Sequence, residues 1–125
     1  MPVILKSSIE DRRYPNGISV PLDIARKSPV IKDLLAEGPE ALDIIEGRGQ
    51  IDLGDVTYGA IALLVDYLTQ YDETDFKEGE VYDWEMRFMD DVPVKDYINF
   101  GMLAHNLKIA PAVNLVKFYY DLLPM

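Results

Sequence analysis

One helical segment near the end of the chain constrains the fold most strongly. Residues 112–123 read Ala-Val-Asn-Leu-Val-Lys-Phe-Tyr-Tyr-Asp-Leu-Leu. At about 100° per residue the polar positions, Asn114, Lys117 and Asp121, fall within a sector of about 60°, so nearly the whole circumference is apolar or aromatic. One small domain can bury only part of such a helix. The segment therefore predicts a docking surface for another protein.

The terminal helix divides into two apolar stripes. The first stripe consists of Val113, Val116, Tyr120 and Leu123, and the second of Leu115, Phe118, Tyr119 and Leu122. We expect the first stripe to pack inward and the second to meet a partner, or the reverse. The alternative is that both stripes face the core of the domain or a second copy of the chain.

Length and charge limit the classes of partner. The 125 residues suit one domain, residues 1–125, with an apolar content of 49% and a net charge of −10. An acidic linker at about residues 72–91 holds nine acids against Lys77 and Arg87. Such a field repels phosphate backbones and anionic lipids, so we expect neither nucleic-acid nor membrane binding. The chain shows no secretion signal and no long apolar run, which predicts a cytoplasmic and/or nuclear protein.

The residue types needed for most enzyme chemistry are scarce. The chain has no cysteine, and His105 is its one histidine. Gly47-Arg48-Gly49 lacks the Lys-Ser/Thr end of a phosphate loop, and the acidic linker does not follow the ligand spacing of an EF-hand. We therefore expect no catalytic site, no metal site and no cofactor.

Periodicity predicts a β-rich first third. Strands at residues 3–8 and 18–20 form a hairpin around Tyr14-Pro15-Asn16-Gly17, and a short third strand covers residues 51–53. Between them we expect helices at residues 21–27 and 29–37, the second capped by Ser28, and then a loop or weak helix at residues 40–50.

The remainder of the chain is predicted to be helical. Asp55 is the expected cap of a central helix with its apolar positions at Ala60, Leu63, Leu64, Tyr67, Leu68 and Tyr71. Pro93 opens a helix with a stripe of Val94, Tyr97, Ile98, Gly101 and Met102. These elements together predict an α+β fold, with a small three-stranded sheet packed on about five to six helices.

Three motifs resemble those of a known family. Residues 24–35 read Ile-Ala-Arg-Lys-Ser-Pro-Val-Ile-Lys-Asp-Leu-Leu, residues 84–89 read Trp-Glu-Met-Arg-Phe-Met, and residues 103–109 read Leu-Ala-His-Asn-Leu-Lys-Ile. Together with the element order, they resemble the S-phase kinase-associated (Skp/elongin C) adaptors, which have the BTB/POZ fold. The match covers essentially the whole chain and is closer to the Skp branch. We expect that the C-terminal F-box-gripping tail of that branch is missing.

The resemblance implies a non-enzymatic adaptor of a cullin-type ubiquitin ligase, which binds an F-box-like or BC-box-like helix of a partner protein. The residues expected to dock that helix are Tyr97, Ile98, Gly101, Met102, Leu115, Phe118, Tyr119 and Leu122. A cullin contact is expected at His105 and Asn106, where the family has Asn-Tyr. That difference motivates an alternative, a permanent structural subunit of a kinetochore or cytoskeletal assembly. A third hypothesis is a homodimer through the BTB face.

Overall fold

The computed structural model describes residues 2–36, 39–45, 49–71 and 80–122, with the backbone alone at residues 2, 39, 40, 121 and 122. Over these residues the chain is an α+β protein with one three-stranded sheet and seven helices. The predicted fold class is therefore confirmed. Residues 72–79 of the predicted acidic linker lie outside the described residues, as do Gly47 and Arg48.

The sheet consists of β1 (Pro2–Lys6), β2 (Ile18–Pro21) and β3 (Ile51–Asp52) in the order β2-β1-β3. β1 pairs antiparallel with β2 and parallel with β3, which confirms the predicted hairpin and third strand. The turn before β2 requires Gly17, whose φ is +82° and where a Cβ would lie 2.7 Å from the carbonyl oxygen of Leu5. Only glycine adopts this conformation at no steric cost.

The seven helices are α1 (Leu22–Ala25), α2 (Pro29–Leu34), α3 (Pro39–Ile45), α4 (Tyr58–Gln70), α5 (Asp83–Asp90), α6 (Val94–Asn106) and α7 (Ala110–Leu122). Ser28 caps α2 as predicted, its Oγ accepting from the backbone N–H of Ile31 at 3.3 Å. The helix that the prediction did not include is α5. It forms at the end of the acidic linker because Phe88 and Met89 are buried in the core.

The central helix α4 is confirmed, but its cap is not the predicted residue. Thr57 directly precedes the first helical residue, and its Oγ1 accepts from the backbone N–H of Ala60 at 3.1 Å. Asp55 stands two residues too early for this role. Because the capping side chain must lie at the position next to the first turn, Thr57 caps α4 and the prediction of Asp55 is wrong.

An aromatic cluster joins α4 to the helices that follow it. The ring of Tyr67 lies 5.5 Å from Trp84, 5.6 Å from Phe88 and 6.2 Å from Phe100, between centroids. Aromatic pairs at such distances add to the free energy of burial. The cluster holds α5 and α6 against α4, and α7 packs against both α5 and α6.

Candidate protein-docking face

Helix α6 presents one side to the core and an apolar stripe to solvent. Its core side carries the buried residues Phe100, Leu103 and Ala104. The stripe consists of Val94, Ile98 and Met102, which are 90%, 71% and 47% exposed. Their spacing of four residues aligns them along one line of the helix. Full burial of such a side chain is worth about 1.5–3 kcal/mol. Covering the stripe with a partner would therefore be favourable.

Two residues beside this stripe contact α7. A Cβ on Gly101 would lie 3.3 Å from Cγ1 of Val116, so the missing side chain lets the two helices approach closely. The ring of Tyr97 lies 6.1 Å from the ring of Tyr119, and its hydroxyl donates to the carbonyl oxygen of Val116 at 3.5 Å. The pairing of Tyr97 with Tyr119 and of Gly101 with Val116 means that α6 and α7 run antiparallel.

Helix α7 has apolar residues on more than one side, and some of these residues are buried while others are exposed. Leu115 is fully buried, with 0% exposure. At about 100° per residue, Val116, Tyr120 and Val113 lie about 100–160° around the helix from Leu115, on the side that meets α6. Tyr120 is 55% exposed. Phe118 is 40% exposed, but it lies about 160° around the helix from Tyr120 and so faces a different way.

The exposed and half-buried residues on the shared outer side of these helices form one surface, which we name the α6–α7 face. It consists of Val94, Tyr97, Ile98, Gly101, Met102, Val113, Val116 and Tyr120. Contiguous apolar surface of this kind marks interaction sites in proteins.

The residues predicted on α6 all belong to the α6–α7 face. Tyr97 and Gly101 are half-buried at the seam with α7, and Ile98 and Met102 are exposed. The sequence pattern predicted this because the stripe repeats every three to four residues along a single helix.

The residues predicted on α7 are not held together in one surface. Leu115 is wrong as a docking residue, because it is fully buried in the core. Tyr119 is half-buried, and its hydroxyl donates to Oδ1 of Asp90 at 3.2 Å, at the end of α5. Phe118 is exposed but lies away from the α6–α7 face. The side chain of Leu122 lies outside the described residues.

The predicted division of α7 into one inward and one outward stripe is also wrong. Leu115 and Phe118 were assigned to the same stripe, yet one is buried and the other exposed. The physical reason is that α7 contacts α5 and α6 on two sides, so its buried arc cuts across both stripes.

Four members of the face, Val94, Val113, Val116 and Tyr120, were missed as docking residues. Val94 is the most exposed large apolar residue that the structure describes. Its position four residues before Ile98 could have identified it as a member of the exposed stripe. Val113, Val116 and Tyr120 were placed in the other stripe of α7, and no sequence signal distinguished that stripe from the one predicted to dock.

The residues predicted to contact a cullin are both exposed at the end of α6. His105 follows Met102 by three residues and therefore continues the line of the stripe, whereas Asn106 lies about 100° further around the helix. A partner that covers the full length of the stripe would also reach His105.

Burial raises the pKa of the two tyrosine hydroxyls where α6 meets α7. Desolvation raises the pKa of the Tyr97 hydroxyl, with a smaller contribution from nearby Tyr119. The pKa of Tyr119 is raised by desolvation first and then by its hydrogen bond to Asp90. Both hydroxyls therefore stay protonated at neutral pH and add no charge to the α6–α7 face.

Two buried carboxylates elsewhere serve to join elements. Glu85 accepts from the Tyr67 hydroxyl at 2.8 Å and from the backbone N–H of Tyr82 at 3.0 Å. Asp96 accepts from the hydroxyl of Thr57 at 2.7 Å, which ties the first turn of α6 to the start of α4. Both therefore have structural partners.

The described residues also bear on two other classes of site, a metal centre and a membrane-spanning helix. Residues 2–36, 39–45, 49–71 and 80–122 contain no group of three or more His, Cys, Asp and Glu placed to hold a metal ion. None of the helices described combines the length and the hydropathy needed to cross a bilayer. No protein-family model and no curated protein sequence matches the chain.

Proposed function

We propose that this chain is a non-enzymatic adaptor whose α6–α7 face receives one amphipathic helix of a partner protein. The observation that carries the proposal is the line of Val94, Ile98 and Met102, which is exposed although the other sides of α6 pack against α4 and α7. An apolar line of three residues beside a packed seam gives a partner helix a surface on which to bury its own apolar side.

The composition of the face supports a protein partner. A helix that lies along α6 can place apolar residues three and four apart against the stripe, which is the usual helix-in-groove geometry. Tyr97 and Tyr120 add aromatic area whose hydroxyl ends tolerate water, and tyrosine is enriched at protein interfaces.

The partner helix under this proposal is F-box-like or BC-box-like, and the assembly is a cullin-type ubiquitin ligase of the cytoplasm and/or nucleus. The motifs at residues 24–35 and 84–89 support this choice. Ser28 of the first motif is buried and donates to the carbonyl oxygen of Leu107 at the end of α6. Phe88 of the second motif is buried against Phe100 of α6. The cullin would contact His105 and Asn106.

A second function is a permanent structural subunit of a larger assembly, of kinetochore or cytoskeletal type. The observation in its favour is that His105 and Asn106 occupy the positions where the resembled family has Asn-Tyr. In this case the same face holds its partner, and no cullin binds.

The test is recovery of partners with the purified chain and with Ile98→Asp, followed by mass spectrometry. Leu42→Asp is the matched control, because Leu42 is also an exposed apolar residue but lies on α3. We expect Ile98→Asp to lose a partner that both the unchanged chain and Leu42→Asp retain.

The same experiment separates the two functions. Recovery of a cullin together with an F-box or BC-box protein supports the ligase adaptor, whereas a stable partner without a cullin supports the structural subunit. A partner retained equally by Ile98→Asp and the unchanged chain contradicts docking on the α6–α7 face. Sedimentation of the purified chain as a dimer that Ile98→Asp dissociates supports the homodimer instead.

A further inference from the structure

The part of the chain that carries the α6–α7 face differs in charge from the rest. Residues 94–122 contain three lysines and two aspartates, whereas the whole chain has a net charge of −10. One of the two aspartates, Asp96, is 4% exposed and accepts from the hydroxyl of Thr57 at 2.7 Å, so it faces inward. All three lysines, Lys95, Lys108 and Lys117, are exposed.

Two of these lysines border the face on opposite sides. At about 100° per residue, Lys95 lies about 20° beyond Met102 on the margin of α6 that points away from α7. Lys117 lies about 40° beyond Val113 on the margin of α7 that points away from α6. Lys95 lies near enough to the Asp11 carboxylate to help lower its pKa, but Asp11 forms its salt bridge with Arg13, at 2.8 Å.

The third lysine occupies an unusual backbone position. Lys108 has a φ of +53° and is the one residue other than glycine with positive φ in the described part of the chain. It lies between α6 and α7, where its N–H donates to the carbonyl of His105 at 3.1 Å and the N–H of Ile109 donates to that of Ala104 at 3.0 Å. This is a Schellman ending, a position at which glycine is favoured. A lysine here costs backbone strain, and strained residues cluster at functional sites.

We propose that the helix that docks on the α6–α7 face carries carboxylates on both margins of its apolar stripe, where they pair with Lys95, Lys108 and Lys117. This inference rests on the proposed function. Exposed pairs of this kind contribute little affinity singly, but they select the partner and raise the rate of encounter.

The other end of the face limits where those carboxylates lie. Asp91 is exposed close to Val94, and Asp90 accepts from the hydroxyl of Tyr119. Acidic residues of the partner therefore belong at the Lys108 end and along the margins, and like charges disfavour them near Asp90 and Asp91.

A lipid surface and a second copy fit the face less well. A net charge of −10 opposes approach to an anionic membrane, and three lysines spread over the two margins and one end of the face do not make a polybasic cluster. Two copies docked by this same face would bring their lysine margins together, which like-charge repulsion disfavours.

The test uses the full chain and two synthetic peptides as long as α6, 13 residues, each held helical by a lactam bridge on its outer side. Both carry the same leucine stripe, one flanked by Glu and the other by Lys. We expect the Glu peptide to bind at least about fivefold more tightly at about 0.05 M NaCl, and the ratio to shrink at about 0.5 M. In the double variant Lys95→Glu and Lys117→Glu the preference should invert, whereas Lys32→Glu, an exposed lysine of α2, should leave it unchanged.

The outcomes distinguish this inference from the proposed function. If both peptides bind equally and Ile98→Asp abolishes both, docking stands and the charge preference is overturned. If neither peptide binds, or Ile98→Asp binds as the unchanged chain does, both are overturned. Binding to phosphatidylserine vesicles, or a dimer, that Ile98→Asp abolishes also overturns the inference, because the face then has a different occupant.

Discussion

The hydroxyl of Ser28 joins two helix ends that are 79 residues apart in the chain. It donates to the carbonyl oxygen of Leu107 at 2.8 Å and accepts from the backbone N–H of Ile31 at 3.3 Å. Leu107 follows the last residue of α6, so its carbonyl is one of the groups that a helix end leaves without an intrahelical partner. One buried hydroxyl therefore fixes the start of α2 against the helix that carries the exposed stripe.

Ser28→Ala should lower the free energy of unfolding by about 2–4 kcal/mol. The change removes a cap worth about 1 kcal/mol and leaves the buried carbonyl of Leu107 without a donor, which costs about 1–3 kcal/mol. Urea unfolding measures the loss. Ser19→Ala, at an exposed position of β2, is the control and should stay within about 0.5 kcal/mol of the unchanged chain. A loss below 0.5 kcal/mol for Ser28→Ala would contradict the link.

The parts of this fold that could be predicted depend on neighbours in the chain. The turn at Gly17 follows from a dipeptide that tolerates positive φ, and the cap at Ser28 follows from the Pro29 beside it. The repeat of apolar residues from Ala60 to Tyr71 was sufficient for α4. In each case the determining contacts span only a few residues, so the sequence pattern contains them.

The parts that could not be predicted depend on contacts between distant segments. Asp55 and Thr57 are both good capping residues, and only the position of the first helical turn selects between them. Leu115 and Tyr120 lie in a helix with apolar residues on most sides, and periodicity cannot say which sides α5 and α6 cover. The bond from Ser28 to Leu107 has no sequence signature at all.

Gly59→Ala should destabilise the protein by about 1–3 kcal/mol, against the usual trend. Replacing glycine within a helix by alanine normally stabilises by about 1 kcal/mol. Here the new Cβ would lie 2.5 Å from Oδ2 of Asp96, a carboxylate held in place by Thr57. Displacing that buried carboxylate costs more than the helix gains. Thermal unfolding measures the change.

Gly101→Ala is the matched comparison for this change. Its Cβ would meet only Cγ1 of Val116 at 3.3 Å, a contact that a slight shift of the valine relieves. We expect its unfolding free energy to stay within about 1 kcal/mol of that of the unchanged chain. Equal losses for the two variants would mean that the Asp96 carboxylate is not fixed as described.

The stability of the protein should fall as the pH rises above about 10, partly because of Tyr67. Burial raises the pKa of its hydroxyl above the ordinary value, and the hydrogen bond to Glu85 raises it further. Below pH 10 both states keep the proton. Above it, the unfolded chain releases the proton while the folded chain retains it, so the free energy of unfolding decreases by up to about 1.4 kcal/mol per pH unit.

Tyr67→Phe tests this contribution. The variant should be less stable near pH 8, because Glu85 loses the 2.8 Å hydrogen bond, yet its unfolding free energy should decline less steeply between about pH 10 and 12. Urea titrations at a series of pH values give both quantities. Parallel declines for the two proteins would exclude Tyr67 as a source of the pH dependence.

Leu115→Ala and Ile98→Ala should differ greatly in stability, although each removes one aliphatic side chain. Leu115 is fully buried, so its truncation leaves a cavity and should cost about 2–5 kcal/mol. Ile98 is exposed and unpacked, and its truncation should stay within about 0.5 kcal/mol of the unchanged chain. Chemical unfolding of the two variants measures the contrast. A loss above 1 kcal/mol for Ile98→Ala would show that the stripe is already covered.

Lys108→Gly should make the folded chain more stable while weakening its binding to an acidic helix. At a φ of +53° a lysine is strained by about 1 kcal/mol, and a glycine is strained much less. We therefore expect the free energy of unfolding to rise by about 0.5–1 kcal/mol. Lys108→Ala is the control, since it removes the same charge but keeps a Cβ in the left-handed region. Both variants should bind the Glu-flanked peptide more weakly, whereas only the glycine variant should gain stability. Equal stabilities for the two variants would mean that the left-handed conformation at position 108 carries no strain.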